Sequence, residues 1–216
     1  MTTTHTTDTG LPIDTRFARS ATEEQLHRTA AALRDKGYAV EIVDTAAEAR
    51  AVVTRLLPTD KSIFTVSSET LRVSRLDDDI NASGRFDAVR PKLMRLREEG
   101  RFDEMRTLGA APDVVIGSVH AVTEDGRLLT ASGSGSQLGP YSFSAGRVIW
   151  VVGSQKIVPD LDEAMRRIQT YAYPREDARA REAYGTPALL SKILIVDNEM
   201  FPERITVVLV REPIGF

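Results

Sequence analysis

Val148-Ile149-Trp150-Val151-Val152-Gly153-Ser154-Gln155-Lys156 is the stretch on which the fold turns. Its first five residues are apolar without a break, so the strand they predict is buried on both faces. That habit belongs to parallel sheets, whose two faces are covered by helices. The polar residues that follow then fall at the strand's carboxyl end. Working outward, short strands are expected over 38–43, 62–66, 114–117 and 128–131, and again over 193–196 and 205–210. Helices fall between them. Ser20 and Glu23 have capping-box spacing, and Leu26, Ala30 and Leu33 follow at helical intervals until Gly37. Asp44 opens a helix over 45–57 that Pro58 closes, and Ser67, Ser68 and Thr70 open another to about 79. Asp160 caps a helix with Leu161, Ala164, Met165 and Ile168 on one face, and Pro174 starts a charged helix ending near Gly185. This repeated alternation predicts an α/β fold, a modified doubly wound and mostly parallel sheet flanked by helices. With no internal repeat and no long linker, residues 14–216 read as a single domain behind a disordered tail over 1–13.

Composition sets the outer limits. At 216 residues, one domain can bury roughly 70% of its unfolded surface, enough for a core without staples. There is no cysteine, which excludes disulfides, a cysteine nucleophile, thiolate zinc sites and cysteine-held iron–sulfur clusters. Three histidines leave no basis for a multi-histidine metal site, so no metal is expected. A net charge of −3 argues against a sequence-independent nucleic-acid binder. The apolar run 148–152 is far short of the ~20 residues a spanning helix needs. The first ten residues carry six threonines and no apolar run, so they are neither a secretory signal nor a membrane anchor. A cytoplasmic protein is expected.

The candidate chemistry gathers after strands. Ser67, Ser68 and Thr70 follow 62–66; Ser118, His120 and Glu124 follow 114–117; Ser154, Gln155 and Lys156 follow 148–152. Open α/β sheets bind ligands beyond the carboxyl ends of their strands, so these groups are expected to share one cleft. The loop Ser132-Gly133-Ser134-Gly135-Ser136-Gln137 offers glycine-rich backbone N–H groups and hydroxyls to an anion, or is simply flexible. It matches neither the Walker loop nor the dinucleotide fingerprint, and no cofactor is evident. Lys156 can hold an anion, have its pKa lowered by burial, or pair with Asp160. Glu124 with Asp125 and Gly126 is also an ordinary turn. His120 is the central histidine and reads as a hydrogen-bonding or proton-carrying group rather than a metal ligand. His27 falls on a helix surface, and His5 in the tail. No serine-hydrolase elbow is present. Seven basic residues over 85–106 look like a phosphate patch, but five interleaved acids make a solvated helix face the better reading.

The runs Gly117-Ser118-Val119-His120-Ala121-Val122-Thr123-Glu124-Asp125-Gly126 and Val151-Val152-Gly153-Ser154-Gln155-Lys156-Ile157-Val158-Pro159, with Ser67-Ser68-Glu69-Thr70-Leu71 upstream, resemble the LUD-domain family of lactate utilization protein C. The resemblance covers roughly 20–214. It implies a fold like that of ribose-5-phosphate isomerase, glucosamine-6-phosphate isomerase and the CoA-transferases. It also implies a small anionic metabolite as ligand and iron–sulfur oxidoreductase subunits as partners in trans, and it leaves a homo-oligomer open. Two departures stand out. His120 and Gln155 replace asparagines of a related branch, and Thr186-Pro187 is followed by Ala-Leu-Leu-Ser where that branch has cysteines.

Two readings result. In one, an organic-acid utilization protein holds a small anion over Ser67, Ser68, Thr70, Ser118, Gln155, Lys156 and the 133–137 loop. In the other, an enzyme performs isomerisation or acyl transfer with Glu124 as base or nucleophile, His120 as proton carrier and Lys156 as cation.

Overall fold

The apolar run forms a central strand in the computed structural model of the chain, which describes residues 4–6 and 10–216. In chain order the elements are β1 (Thr4–Thr6), β2 (Pro12–Asp14), α1 (Glu23–Asp35), β3 (Ala39–Val43), α2 (Ala46–Leu56), β4 (Ser62–Thr65), α3 (Glu69–Val73), α4 (Leu76–Asn81), β5 (Asp87–Ala88), α5 (Val89–Glu98), α6 (Phe102–Ala110), β6 (Val114–Gly117), β7 (Ala121–Thr123), β8 (Leu128–Ser132), β9 (Arg147–Gly153), β10 (Ile157–Val158), α7 (Leu161–Arg167), α8 (Tyr173–Tyr184), β11 (Lys192–Val196) and β12 (Ile205–Val210). Of the 1–13 tail, residues 1–3 and 7–9 lie outside the described residues, and β1 pairs antiparallel with β2.

Six strands make the main sheet in the order β3-β12-β9-β6-β4-β5, and every neighbouring pair is parallel. β9 lies between β12 and β6, with Val151 opposite Val208 and Ile149 opposite Ile116. Its side chains divide between two cores, as pleating requires. Ile149 and Val151 pack with Val53 of α2, Leu71 of α3 and Ile80 of α4. Val148, Trp150 and Val152 pack on the opposite face with Leu26, Ala30 and Leu33 of α1. All five are fully buried, which is the doubly covered parallel strand the sequence predicts.

A second, four-stranded sheet has the order β10-β7-β8-β11, with β10 and β7 parallel and the remaining pairs antiparallel. Val122 and Leu128 turn toward the main sheet. Ala121, Leu129 and Val158 turn toward Ala164 of α7 and the Ile168 that follows it. The region between 117 and 128 reads as a loop in the sequence because a three-residue strand is too short to show alternation. Its place in a sheet is set by tertiary pairing.

Local signals mislead by small offsets. The capping box of α1 is Thr22 with Gln25, not Ser20 with Glu23: Thr22 Oγ1 accepts from Gln25 N–H at 3.2 Å, and Gln25 Oε1 accepts from Thr22 N–H at 3.0 Å. Thr45 rather than Asp44 caps α2. The helix expected from 67 to 79 is two helices, broken at Arg75, which takes a left-handed φ of 60°. Ser74 just before the break donates to the carbonyl of Thr70 at 2.8 Å, which loosens the helix there.

Candidate functional site

β4, β6 and β9 include two adjacent parallel pairs, so their carboxyl ends open on one side of the sheet. There a cleft of about 370 Å³ is lined by Ser67, Ser68 and Thr70 after β4, Ser118 and His120 after β6, and Lys156 after β9. Gly133, Ser134, Ser136 and Gln137, beyond β8, line it as well.

Lys156 is the unusual member. It is only 1% exposed, and its Nζ donates to Thr70 Oγ1 at 2.9 Å, Ser118 Oγ at 2.9 Å and Val119 O at 3.1 Å. All three partners are uncharged, and Asp160 instead caps α7. Burial therefore pushes the amine's pKa well down, and the nearby Arg167 guanidinium pushes the same way. Arg167 is itself fully buried. It donates through Nε to Gln155 O at 3.1 Å and through Nη1 to His120 O, while Nη2 has no partner. Its charge rests against the Tyr171 ring, 5.0 Å from the centroid. Burial lowers its pKa to about 10. Two enclosed basic groups thus lie close together with no carboxylate paired to either among the described residues.

His120 Nδ1 accepts the Ala131 N–H at 3.1 Å, which places the ring proton on Nε2. Burial, then Lys156 and Arg167, lower its pKa to about 3. The ring is therefore a neutral donor near pH 7 and not a group that exchanges its proton there.

The cleft also holds residues the sequence reading left out. Arg90 lines it and is held by neutral oxygens, with Nη2 2.7 Å from Ser67 Oγ and Nη1 3.4 Å from Thr65 O. Three of its neighbours in the charged segment pair with acids, though none at the i,i+4 spacing of a helix face: Lys92 with Asp87, Arg101 with Glu99 and Glu104, and Arg106 with Asp103. Arg90 differs because it lies in the first turn of α5, just after an edge strand. The cleft's acids are neutralised locally. Glu69 is bound by Arg72, which holds its pKa below the usual carboxylate value, and Glu176 by Arg179.

A family model described as the LUD domain matches residues 26–210, which is most of the chain. The chain belongs to the LUD-domain family. A solved structure described as a DUF162 family protein from Deinococcus radiodurans has the same fold as this LUD domain. The TM-score is 0.55 at 15% identity, over 89% of this chain and 99% of that one. Among curated proteins no sequence matches significantly.

The LUD domain does not gather every expected residue at the cleft. Glu124 is not there. It follows β7, and that strand carries the chain from His120 to the far end of the small sheet, roughly 10 Å away at ~3.3 Å per residue. Its carboxylate is saturated by Gln25 Nε2 at 2.9 Å and by Arg28 Nε and Nη2 at 2.9 and 2.7 Å. Gln155 points instead to the chain's last turn, donating to Ile214 O at 2.9 Å and Gly215 O at 3.2 Å. The 133–136 nest is partly occupied by its own serines. Gly135 N–H donates to Ser132 Oγ at 2.8 Å and Ser136 N–H to Ser134 Oγ at 3.3 Å. Neither Glu124, Gln155 nor Gly135 lines the cleft. Among the described residues no group of three or more histidines and acids could hold a metal, and no helix is long and apolar enough to cross a membrane.

Proposed function

We propose that this LUD domain is of the organic-acid (lactate) utilization type and that its cleft holds a small anionic metabolite. Lys156 carries the reading. A buried amine with only neutral partners, beside an equally uncompensated Arg167, is a costly arrangement unless an anion completes it. Arg90 supplies a second cation with a guanidinium fork suited to a carboxylate or phosphate. The hydroxyls of Ser67, Ser68 and Ser118 add uncharged contacts. The isomerase and CoA-transferase likeness of the fold group fits such a ligand, but base or acyl chemistry through Glu124 has no support from the geometry. With no cysteine in the chain, electrons from an organic acid would pass to iron–sulfur subunits in trans.

Native mass spectrometry and calorimetry with a panel of small carboxylates and phosphates test the proposal. Wild type is expected to retain or bind one member, and Lys156→Met to bind it at least 10-fold more weakly. The same substitution is expected to change stability little, because relief of the amine's desolvation is offset by the donor that Thr70, Ser118 and Val119 lose. A panel on which nothing binds, or a Lys156→Met protein that binds as wild type does, would overturn the proposal.

A further inference from the structure

Of the chain's five lysines, Lys156 alone is buried; Lys61, Lys92 and Lys192 are exposed and Lys36 is partly so. Its three neighbours decide which protonation states it can adopt. Ser118 Oγ spends its proton on Val151 O at 2.6 Å, so it can only accept from Nζ, and so can the carbonyl of Val119. Thr70 is different. Its hydroxyl has only a long contact, 3.5 Å, to Ile214 O and is free to turn its proton toward Nζ. A protonated amine gives three hydrogen bonds here. A neutral amine gives two and receives one from Thr70, and its lone pair becomes available for attack when that hydroxyl turns back to Ile214 O. Either state is therefore fully bonded, and the neutral state is the one burial favours. An uncharged amine opening on a polar cleft is a nucleophile.

Arg90 stands close by. It is bonded to Ser67 and Lys156 to Thr70, so the guanidinium and the amine are anchored three residues apart, on either side of Ser68 at the start of α3. A small molecule that carries an anionic group and, near it, a centre that an amine attacks can meet both.

We propose that Lys156 forms an imine with the carbonyl carbon of an oxo acid whose carboxylate is held by Arg90. The inference rests on the reading of the cleft as an organic-anion site and names the class of anion. The amine nitrogen bonds to the carbonyl carbon, and the carbonyl oxygen takes a proton to give a carbinolamine. That oxygen then leaves as water with the second amine proton, and the C=N bond forms; no oxidant or reductant is consumed. His120 lines the same cleft with its Nε2–H free of any protein partner among the described residues, and can donate a hydrogen bond to the departing oxygen.

The test is reductive trapping. The full chain is incubated with pyruvate, 2-oxoglutarate or acetoacetate, then with borohydride, and analysed by intact mass and peptide mapping. L-lactate, which has no carbonyl, serves as the control. The expected result is one adduct per chain, mapped to Lys156, from at least one oxo acid and none from lactate. Lys156→Arg, which keeps a long basic side chain but cannot form an imine, is expected to lose the adduct. Mapping on the wild type decides the matter even if that variant fails to fold. Oxo-acid binding by calorimetry without an adduct overturns the imine and leaves the anion site standing. Absence of both binding and adduct overturns the two together. Adducts scattered over Lys36, Lys61, Lys92 and Lys192 also overturn the imine.

Discussion

At the residue scale, His120 links the cleft to stability through its proton. The folded ring stays neutral down to about pH 3, whereas an ordinary histidine binds a proton below 6.5. Between those values the unfolded chain holds more protons, so stability is intact above pH 6.5 and falls as pH drops toward 3. The groups facing the ring, Lys156, Arg167 and the Ala131 N–H, all oppose a proton on it. At ~1.4 kcal/mol per pKa unit the loss is on the order of a few kcal/mol once solvent access to the partly exposed residue is allowed for. The carboxylates held low by their partners act at the acid end of this range: Asp14, Asp79, Asp113 and Asp197 have ordinary values of 3.8, and Glu69 and Glu104 of 4.5. Urea midpoints from pH 7 to about 5.5 therefore read the histidine through the difference between two proteins: wild type should lose stability over that span, and His120→Asn should lose distinctly less. Gly117 gives the second residue-scale prediction. A Cβ there would lie 1.9 Å from Tyr141 Oη and 2.5 Å from Val66 Cγ2. Tyr141 is fully buried, with its ring edge-on to Trp150 at 5.1 Å, and cannot withdraw. Gly117→Ala should cost about 1–3 kcal/mol in chemical denaturation and weaken ligand binding, because Tyr141 lines the cleft.

At the scale of elements, the sequence shows long, periodic features and hides short ones. β9 and β6 are legible as continuous apolar runs and β12 as one broken only by Thr206, α1 by its apolar spacing and Gly37, and α7 and α8 by Asp160, Pro174 and Gly185. β7 and β10 are not, since two or three residues carry no period, and those two strands decide where Glu124 goes. The expectation that Ser118, His120 and Glu124 act together assumes that they share one turn after a strand. A strand intervenes, so two reach the cleft and the third braces α1 through Gln25 and Arg28. Lys156 is legible for the opposite reason: it lies four residues beyond an unambiguous strand, at the end where parallel sheets place ligands. Arg90 is not, because the pattern of charges around it is that of a solvated helix and only the short β5 turns it inward. Glu124→Gln is accordingly expected to leave metabolite binding within about twofold of wild type and to cause at most a small loss of stability. Calorimetry on the variant checks this, and a loss of binding as large as that of Lys156→Met would place Glu124 back in the site.

At the scale of the molecule, the cleft is a joint between parts that are far apart in the chain. Segments around 67–70, 118–120, 132–137 and 156 line it, and so do Ala188 and Phe216. Gly215 makes one of these joints possible: its φ is +66°, and a Cβ on it would fall 2.2 Å from Thr70 Oγ1, the hydroxyl that bonds Lys156. The unfolded chain has no such meeting point, so an anion that binds here binds the folded state alone and stabilises it by mass action. At a ligand concentration 100 times its Kd the gain is about 2.7 kcal/mol, or roughly 5–10 °C in Tm for a chain of this length. Thermal unfolding followed across a ligand titration should show that rise in wild type. It should be absent in Lys156→Met at the same concentrations, measured against that variant's own ligand-free Tm. A rise of the same size in both proteins would mean that the anion stabilises the chain somewhere other than this cleft.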